Sequence, residues 1–505
     1  MDCYVALTCR SIMIAPLNGI AEASRMVDRH RVQLVVAFCA AVLIVGGVLA
    51  YRSSNNQAAA VWGRATTLRA VPGVALGSGA YLYSLSCASR GNCSAVGSYS
   101  IKQNHNRAIV VNERNGRWGK VEALPGLTAR DDGLNTGAFV VSCASPGNCS
   151  AGGTYSVGRS QLLIFVVNER DGVWGRAVTI PNVRALETGD FADLSTISCA
   201  SPGNCSAGGA FYGANSARAF VLDEVRGKWG GIEPVTGTST YRMGGSRVSS
   251  ISCSAPGDCS AVGTTQKGSN GQPPFAIDET NGVWGHPEAL PGLASLSSGG
   301  TDFVIALSCA SVGNCGASGT YRAQSGVTQS YLVDETHGVW GRAFGIPGMV
   351  ALDGRHIEQL NAISCGSPGN CSAGGAYGNG SHEQAFLVNE VNGRWGTPML
   401  ISGLAALNQG HFTSVTDISC SSAGNCGAIG TYSGAQGYVQ AFALNETSGA
   451  WGGATEVGAP SFPGVVGAHA SVISCTASSS CAIVGVVFHS MSEDSLFVQS
   501  TEPTS

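Results

Sequence analysis

A motif of two cysteines six positions apart recurs eight times along this chain of 505 residues. One copy, residues 198–209, reads Ser-Cys-Ala-Ser-Pro-Gly-Asn-Cys-Ser-Ala-Gly-Gly. Successive copies lie about 56 residues apart, and eight Trp-Gly pairs keep the same step. A fixed period of this length, with turn residues at constant offsets, is typical of a propeller or a solenoid whose units cannot bury a core alone.

Each copy predicts a strand, a tight turn and a second strand, with the two cysteines facing each other across a hairpin. A disulfide there would stabilise the fold by about 2 kcal/mol, because it closes a short loop in the unfolded chain. Sixteen of the 19 cysteines belong to these pairs, which favours an oxidising compartment. The predicted disulfides join Cys87 to Cys93, Cys143 to Cys149, Cys199 to Cys205, Cys253 to Cys259, Cys309 to Cys315, Cys365 to Cys371, Cys420 to Cys426 and Cys475 to Cys481.

The alternative use of paired cysteines is a thiol metal site, which would need two further ligands in each unit. No further His or Cys recurs in every unit, so we expect neither a metal nor another cofactor. The sequence also lacks a nucleophile elbow, a zinc-binding helix, a phosphate loop and a dinucleotide fingerprint. Charged residues are only 12% of the chain and the net charge is -4, without the basic stripe of a nucleic-acid-binding protein.

Each unit contains four candidate strands: one before the first cysteine, one after the second, an apolar run and a strand with Trp-Gly. The last two are joined by turns such as Asn115-Gly116, a strong hairpin signal. Trp62 precedes the first complete unit, while residues 471–500 supply three strands without a Trp. Joined, they make one more unit. The sequence therefore predicts an all-β, eight-bladed β-propeller of four-stranded blades, closed by pairing of the N- and C-terminal strands. An open β-solenoid is the alternative.

The N-terminal region predicts export. Residues 32–51 are apolar apart from Gln33 and follow two arginines and a histidine, as in a signal anchor or a signal peptide cleaved near Ala50. Residues 1–31 would then be a cytoplasmic leader, with Met26 as an alternative start, and residues 52–60 a linker. The propeller spans residues 61–500, followed by a tail of residues 501–505. In both cases the repeats lie outside the cytoplasm, anchored to the membrane or secreted.

The pattern SC-x-S-x-G-NC-x-A-x-G, followed by VNE-x-NG-x-WG, resembles the cysteine-paired repeats of exported actinobacterial proteins, which are similar to β-propellers of the BNR and kelch groups. The resemblance covers residues 61–500. It implies the propeller architecture and leaves the function open, because propellers host many activities.

Two residue types recur too regularly to be catalytic. A glutamate stands just before each Trp hairpin turn, and repetition in seven units argues against a catalytic acid, which must be singled out in one cleft. We interpret these glutamates as turn-stabilising and the tryptophans as packing between blades. The glutamates are Glu113, Glu169, Glu224, Glu279, Glu335, Glu390 and Glu446.

Function is expected where the units differ. The residues six and four positions before the first cysteine vary in size and charge, and they start the strand predicted to line the central channel. The residues two and five positions before it are both apolar, which breaks strict alternation and indicates a bulge or a shift of face. We predict a ligand-facing mouth formed by Asp193, Arg247, His356, Glu358, Gln359, His411 and His469.

These patterns favour a non-catalytic scaffold of the cell envelope or a secreted one, which recognises a glycan, peptide or protein at one face of the propeller. No catalytic residue is assigned. The alternative is a glycan-acting hydrolase or lyase with carboxylates at the channel mouth, for which the candidates are Asp193, Asp302, Glu358 and Asp417. A purely structural envelope protein is a third possibility. The expected partners are the membrane, if residues 32–51 are retained, and a glycan or protein ligand, without nucleic acid.

Overall fold

The repeats form a nearly all-β structure in the computed structural model. It describes residues 61–71, 74, 79–102, 105–127, 135–157, 161–180, 191–213, 216–236, 245–265, 274–299, 302–353, 357–378, 382–458, 464–477, 480–490 and 494–502. The leader, the hydrophobic segment 32–51 and the linker of the sequence analysis lie outside these residues. None of the described helices is long and apolar enough to cross a membrane.

Eight antiparallel hairpins carry the eight predicted disulfides, and we number the repeats by them, from repeat 1 with Cys87–Cys93 to repeat 8 with Cys475–Cys481. The first strands are Tyr81–Ser89, Thr136–Ser145, Phe191–Ser201, Ser246–Ala255, Phe303–Ser311, Ile357–Ser367, Thr413–Ser422 and Val465–Ala477. The second strands are Asn92–Lys102, Asn148–Val157, Asn204–Gly213, Asp258–Thr265, Asn314–Arg322, Asn370–Gly378, Asn425–Ser433 and Ser480–His489. The third strands are His105–Arg114, Gln161–Arg170, Ser216–Val225, Pro274–Thr280, Thr328–Thr336, Glu383–Asn389, Val439–Thr447 and Ser495–Glu502.

The outer edge of each sheet consists of short pieces. The Trp pieces are Val61–Trp62, Arg117–Trp118, Val173–Trp174, Lys228–Trp229, Val283–Trp284, Val339–Trp340 and Ala450–Trp451, and a single bridge joins Glu390 and Trp395 in repeat 6. A second set pairs further along the third strand: Thr66–Thr67, Glu122–Ala123, Val178–Thr179, Glu233–Pro234, Glu288–Ala289, Phe344–Gly345, Met399–Leu400 and Thr455–Val457. The predicted fourth strand is thus interrupted. Val61–Trp62 and Thr66–Thr67 pair with the third strand of repeat 8.

Among the described residues, three short helices lie in the connections between repeats, where the sequence predicts only longer loops: Leu293–Leu296, Met349–Asp353 and Leu404–Leu407. Each follows a glycine with a positive φ, for example 81° at Gly292 and 79° at Gly403. This backbone conformation strains other residues, and it turns the chain from the outer edge of one sheet toward the next repeat.

All eight predicted disulfides are formed, with Cα–Cα distances of 3.9 to 4.0 Å. The bulge indicated by the apolar pattern is also confirmed, because the register of the first strand shifts at the same place in all eight repeats. In repeat 3 the shift lies between Leu194 and Thr196, so Ser195, four positions before the first cysteine, is the extra residue. The bulge changes which side chains of the strand share a face.

Neighbouring repeats are joined by one hydrogen bond that recurs eight times. The serine immediately before each first cysteine accepts, through Oγ, the N–H of the first cysteine of the following repeat. Cys365 N donates to Ser308 Oγ at 2.9 Å, and Cys87 N donates to Ser474 Oγ at 3.0 Å, which links repeats 8 and 1. The other six bonds are 2.9 to 3.0 Å long.

The core lies between successive sheets and draws most of its large side chains from the third strands. Phe165, Phe220, Phe386, Phe442 and Phe497 are fully buried. Small residues of the second strands allow the sheets to approach closely. A Cβ added at Gly152, for example, would lie 2.3 Å from Cδ2 of Leu194 in the next repeat. The repeats therefore have a common packing scheme, and the fold is β-propeller-like.

We predict that Ser308→Ala lowers the free energy of unfolding by about 1 kcal/mol, because the N–H of Cys365 loses its acceptor at a half-buried position. Chemical denaturation of the full chain measures the change. Ser298→Ala, which removes an exposed hydroxyl bonded to Arg322 O at 3.1 Å, is the control and should cost less. Equal effects of the two substitutions would contradict the special role of the serine column.

Candidate functional site

The repeated glutamates pair with the Trp across their own hairpins, but their side chains are buried and bond residues of the preceding repeat, so the turn-stabilising interpretation is wrong. Glu169 of repeat 2 accepts hydrogen bonds from Asn112 Nδ2 at 2.7 Å and Ser94 Oγ at 3.4 Å, both in repeat 1. Glu446 of repeat 7 accepts a hydrogen bond from Ser372 Oγ of repeat 6 at 3.5 Å. Sequence reasoning missed these contacts because they join residues about one repeat apart.

Burial raises the pKa of these carboxyls. The pKa rises to about 7 for Glu113, Glu279, Glu335 and Glu390. Removal of the carboxylate from water is the largest cause in each case, and nearby carboxylates such as Asp223 beside Glu279 add to it. Repetition around the structure identifies these shifts as a property of the junctions, not of an active site.

The tryptophans join neighbouring repeats, as the sequence indicates. Trp174 Nε1 of repeat 2 donates to Asn112 Oδ1 of repeat 1 at 3.2 Å, and Trp229 Nε1 of repeat 3 donates to Asn168 Oδ1 of repeat 2 at 3.0 Å. Both rings pack against the core. They are therefore not an exposed stacking platform.

The variable columns line a cavity of about 760 Å³. Ser195, Arg247, Ser249, Phe303, Ile305 and Gln359, from four consecutive repeats, all stand six or four positions before a first cysteine and all line it. They lie at the start of the first strands, away from the disulfide turns. The cavity is thus placed where the repeats differ, and we call it the Arg247 cavity.

Three other cavities, of about 290 to 400 Å³, lie beside the disulfide turns. Each is lined by disulfide cysteines, turn glycines and one or two of the repeated glutamates, and each belongs to a different junction between repeats. Because their lining recurs with the repeat, they are grooves of the architecture and less suited than the Arg247 cavity to a specific ligand.

Arg247 is held at the edge of its cavity by two contacts from the first strand of repeat 3. Its Nη2 lies 3.0 Å from Asp193 Oδ2 and donates to Ser195 Oγ at 2.8 Å. The side chain of Arg247 keeps 44% of its surface exposed and that of Asp193 31%. Both contacts use one nitrogen of a guanidinium that carries five N–H donors in a fork suited to a carboxylate.

Tyr212 completes this cluster and also lines the cavity. Its hydroxyl donates to Asp193 Oδ2 at 3.5 Å, while Asp193 Oδ1 accepts the backbone N–H of Ala210 at 2.9 Å. Burial and the charge of Asp193 raise the pKa of Tyr212, and Arg247 partly opposes this. The phenol is therefore a hydrogen-bond donor at neutral pH. Sequence reasoning missed Tyr212, although the residue seven positions after the second cysteine varies between repeats.

The structure brings together only part of the predicted mouth. Arg247 and Gln359 line the Arg247 cavity, and Asp193 lies behind Arg247. Glu358 is instead buried, where it accepts Ser330 N at 3.3 Å from the preceding repeat.

Neither of the two predicted histidines that the structure describes lines the Arg247 cavity. His411 is exposed, with its ring centroid 4.4 Å from that of His382. His469 is half-buried in repeat 8, and burial lowers its pKa. His356 lies outside the described residues. Among the described residues, no group of three or more His, Cys, Asp or Glu side chains is arranged to hold a metal ion.

The carboxylates considered for hydrolysis are not paired in a cleft. Asp302 is buried and accepts Ser297 Oγ at 2.9 Å and Arg322 N at 3.2 Å, and burial raises its pKa. Asp417 accepts Ile418 N and Ile473 N, each at 2.9 Å, and burial raises its pKa to about 7. With Glu358 also buried, Asp193 is the one of these four that contacts the Arg247 cavity lining.

Comparison with known proteins gives no family: no protein-family model matches the chain, and no curated protein does. The resemblance to exported actinobacterial repeats therefore stays a prediction.

Solved structures resemble the fold. The GH74 xyloglucanase from Xanthomonas campestris is 11% identical, with 85% of this chain and 59% of that chain covered and a TM-score of 0.45. The polysaccharide lyase PL25 ulvan lyase is 10% identical, with 87% of this chain and 94% of that chain covered and a TM-score of 0.42. A Hadza microbial sialidase is 9% identical, with 64% and 66% covered and a TM-score of 0.35.

These structures are named for enzyme activities, which corrects the sequence-based preference for a chain that is not an enzyme. The substrates in those names belong to those proteins only.

The buried glutamates predict a fall in stability with rising pH. Below the ordinary pKa of 4.5 Glu279 is protonated in both folded and unfolded chains. Between 4.5 and about 7 the unfolded chain releases the proton and the folded chain keeps it, so unfolding becomes more favourable until the folded carboxyl also ionises. Glu279→Gln should therefore be more stable relative to the parent at pH 8 than at pH 4, by about 1 to 3 kcal/mol.

Denaturation at a series of pH values measures this difference. Glu122→Gln, at an exposed position, is the matched control and should show no such trend. A parallel pH profile for Glu279→Gln and the parent would show that this junction carboxyl does not titrate as described.

Proposed function

We propose that the chain is an extracytoplasmic enzyme that cleaves acidic glycans by β-elimination in the Arg247 cavity. The observation that carries the proposal is the cluster of Arg247, Asp193 and Tyr212 at the variable ends of the first strands. An exposed guanidinium and a neutral phenol line the cavity, and the carboxylate of Asp193 contacts both of them, so the cluster has the groups needed to bind an anionic sugar and move a proton.

The proposed architecture is a closed eight-bladed β-propeller. It is supported by the hydrogen bond from Cys87 N to Ser474 Oγ, which repeats between the last and first units the bond found at the other junctions. Pairing of Val61–Trp62 with Ser495–Glu502 also supports closure by the two ends of the repeat region. In such a ring the variable columns would surround one mouth of the central channel.

The proposed location is outside the cytoplasm. Eight disulfides, one in each repeat, are typical of an oxidising environment. Residues 32–51 would anchor the chain in the membrane, or would be removed by cleavage near Ala50.

The chemistry follows from the cluster. Arg247 would pair with the carboxylate of a uronate residue and lower the cost of forming an anion at the neighbouring carbon. Asp193 would accept the proton from that carbon, the electrons of the C–H bond would form a C=C bond, and the C–O bond to the next sugar would break. Tyr212 would give its proton to the departing oxygen. Hydrolysis with two carboxylates is less well supported, because Asp302, Glu358 and Asp417 are held elsewhere.

The test is incubation of the full chain with polygalacturonate, alginate and hyaluronan, followed by ultraviolet absorbance of unsaturated ends. Tyr212→Phe should lower the rate by about a hundredfold or more, because it removes only the proton donor. Arg247→Ala should lower kcat as well as raise KM, because the carboxylate contact and the stabilisation of the anion are both lost. Arg170→Ala, whose guanidinium contacts Gly227 O at 2.7 Å at the disulfide end, is the control and should leave both values unchanged.

Three outcomes would contradict the proposal. Reducing ends without unsaturated ends would show hydrolysis. Full activity of Tyr212→Phe would exclude the proposed acid. The absence of any product from these polymers would exclude uronate polymers as substrates.

A further inference from the structure

Three aromatic side chains lie exposed on the variable columns of repeats 1 and 2. Tyr81 and Tyr83 each keep 40% of their surface exposed, and Phe139 keeps 38%. The rings of Tyr81 and Tyr83 are stacked at 6.3 Å, and those of Tyr83 and Phe139 are tilted at 5.2 Å. We call these three residues the aromatic cluster.

Core packing does not explain the cluster. Tyr83 and Phe139 occupy the bulge position, four residues before the first cysteine, where most repeats carry a polar residue. Those polar residues are Ser195, Ser249, Asn361, Thr416 and Ser471, and Ile305 is the apolar exception. Because the bulge turns this position outward, the two rings stay partly exposed, unlike the apolar core side chains of the same strands. A cluster of exposed aromatic rings in a protein is typical of a binding surface.

The aromatic cluster occupies the variable columns of repeats 1 and 2, and the lining of the Arg247 cavity begins in the adjacent repeat 3 with Ser195. Side chains of the two variable columns contact each other between neighbouring repeats in three places: Tyr83 with Phe139, Arg247 with Ser195 and Asn361 with Ser414. Phe139 in repeat 2 and Ser195 in repeat 3 hold the same bulge position on adjacent first strands. The aromatic cluster and the arginine therefore belong to one surface that follows the strand starts.

From this arrangement we infer that Tyr81, Tyr83 and Phe139 form a stacking platform for a sugar ring, so that the ligand of the Arg247 cavity is an oligosaccharide that extends across several repeats. This inference rests on the proposed function and adds the substrate length and a second subsite. The platform holds a residue of the chain distant from the one whose carboxylate pairs with Arg247.

A saccharide fits the platform better than an apolar protein segment. One face of a pyranose ring carries C–H groups that pack on an aromatic ring, while its edge carries hydroxyls that need polar partners. The three rings supply the first, and the polar bulge residues of neighbouring repeats, such as Ser195, supply the second. The neighbouring bulge residues are mostly polar, whereas an apolar protein segment would require a wider apolar surround.

The experiment is titration calorimetry with the full chain carrying Tyr212→Phe, so that little substrate is consumed during the titration. The probes are galacturonic acid, its dimer and longer oligomers, and neutral xylo-oligosaccharides. Tyr83→Leu and Phe139→Leu should each weaken binding of the longer galacturonate oligomers about tenfold, with binding of the monomer unchanged. Tyr83→Phe keeps the ring and should bind as the parent does. Tyr438→Ala, an exposed aromatic residue on a loop of repeat 7, is the control and should have no effect.

The outcomes separate this inference from the proposed function. Binding that depends on Arg247 but not on oligomer length, or that is unaffected by Tyr83→Leu, overturns the platform and leaves the proposed function standing. Binding of neutral oligomers that falls about tenfold with Tyr83→Leu, without a preference for galacturonate, supports the platform and contradicts the role of Arg247. Failure of every saccharide to bind overturns both.

Discussion

The hydrogen bond from the N–H of each first cysteine to the serine of the preceding repeat is the contact on which the rest of the structure depends. A single sheet of this kind cannot bury its apolar side chains alone, so it is stable only when it packs against a neighbouring sheet. The serine fixes how that neighbour is placed, because it is the direct chain neighbour of a cysteine whose disulfide fixes the hairpin. Ser308 and Cys309 therefore link three elements: the hairpin of repeat 5, its disulfide and the first strand of repeat 6.

The bulge turns this repeated frame into a variable surface. Below it, toward the cysteines, the first strand contributes apolar side chains such as Ile197 to the core. Above it, the positions six and four before the cysteine are two residues apart at the strand start, and Arg247 can reach Ser195 of the adjacent repeat. The apolar positions five and two before the cysteine are three residues apart. In a strictly alternating strand they would face opposite sides of the sheet. The same local irregularity thus permits both constant packing and variation at the strand start.

Much of the fold is predictable from the sequence because it is repeated. The period, the hairpins, the disulfides and the bulge all appear as columns in one chain, since local structure follows from local residues. Contacts between repeats are harder to predict, because the equivalent positions of the repeats show which residues recur and not which residues they contact. The sequence indicates that Glu169 stabilises its own turn, whereas its side chain accepts a hydrogen bond from Asn112 in another sheet. Tyr212 was missed because its importance comes from Asp193 and Arg247, which lie on two other strands.

The same limit explains why acidic residues near the strand starts were overvalued. In the position three before the first cysteine, Ser84 Oγ accepts Val141 N at 3.1 Å and Thr196 Oγ1 accepts Ile251 N at 3.0 Å. Asp417 accepts Ile473 N at 2.9 Å from the equivalent position, so its carboxylate does the work of a hydroxyl between repeats 7 and 8. Both of its oxygens accept backbone N–H groups. Asp193 differs because only one oxygen accepts a backbone N–H, while the other contacts two side chains that line a cavity. A carboxylate held by the backbone on both oxygens is part of the frame, and this difference is what makes Asp193 the acidic residue to associate with chemistry.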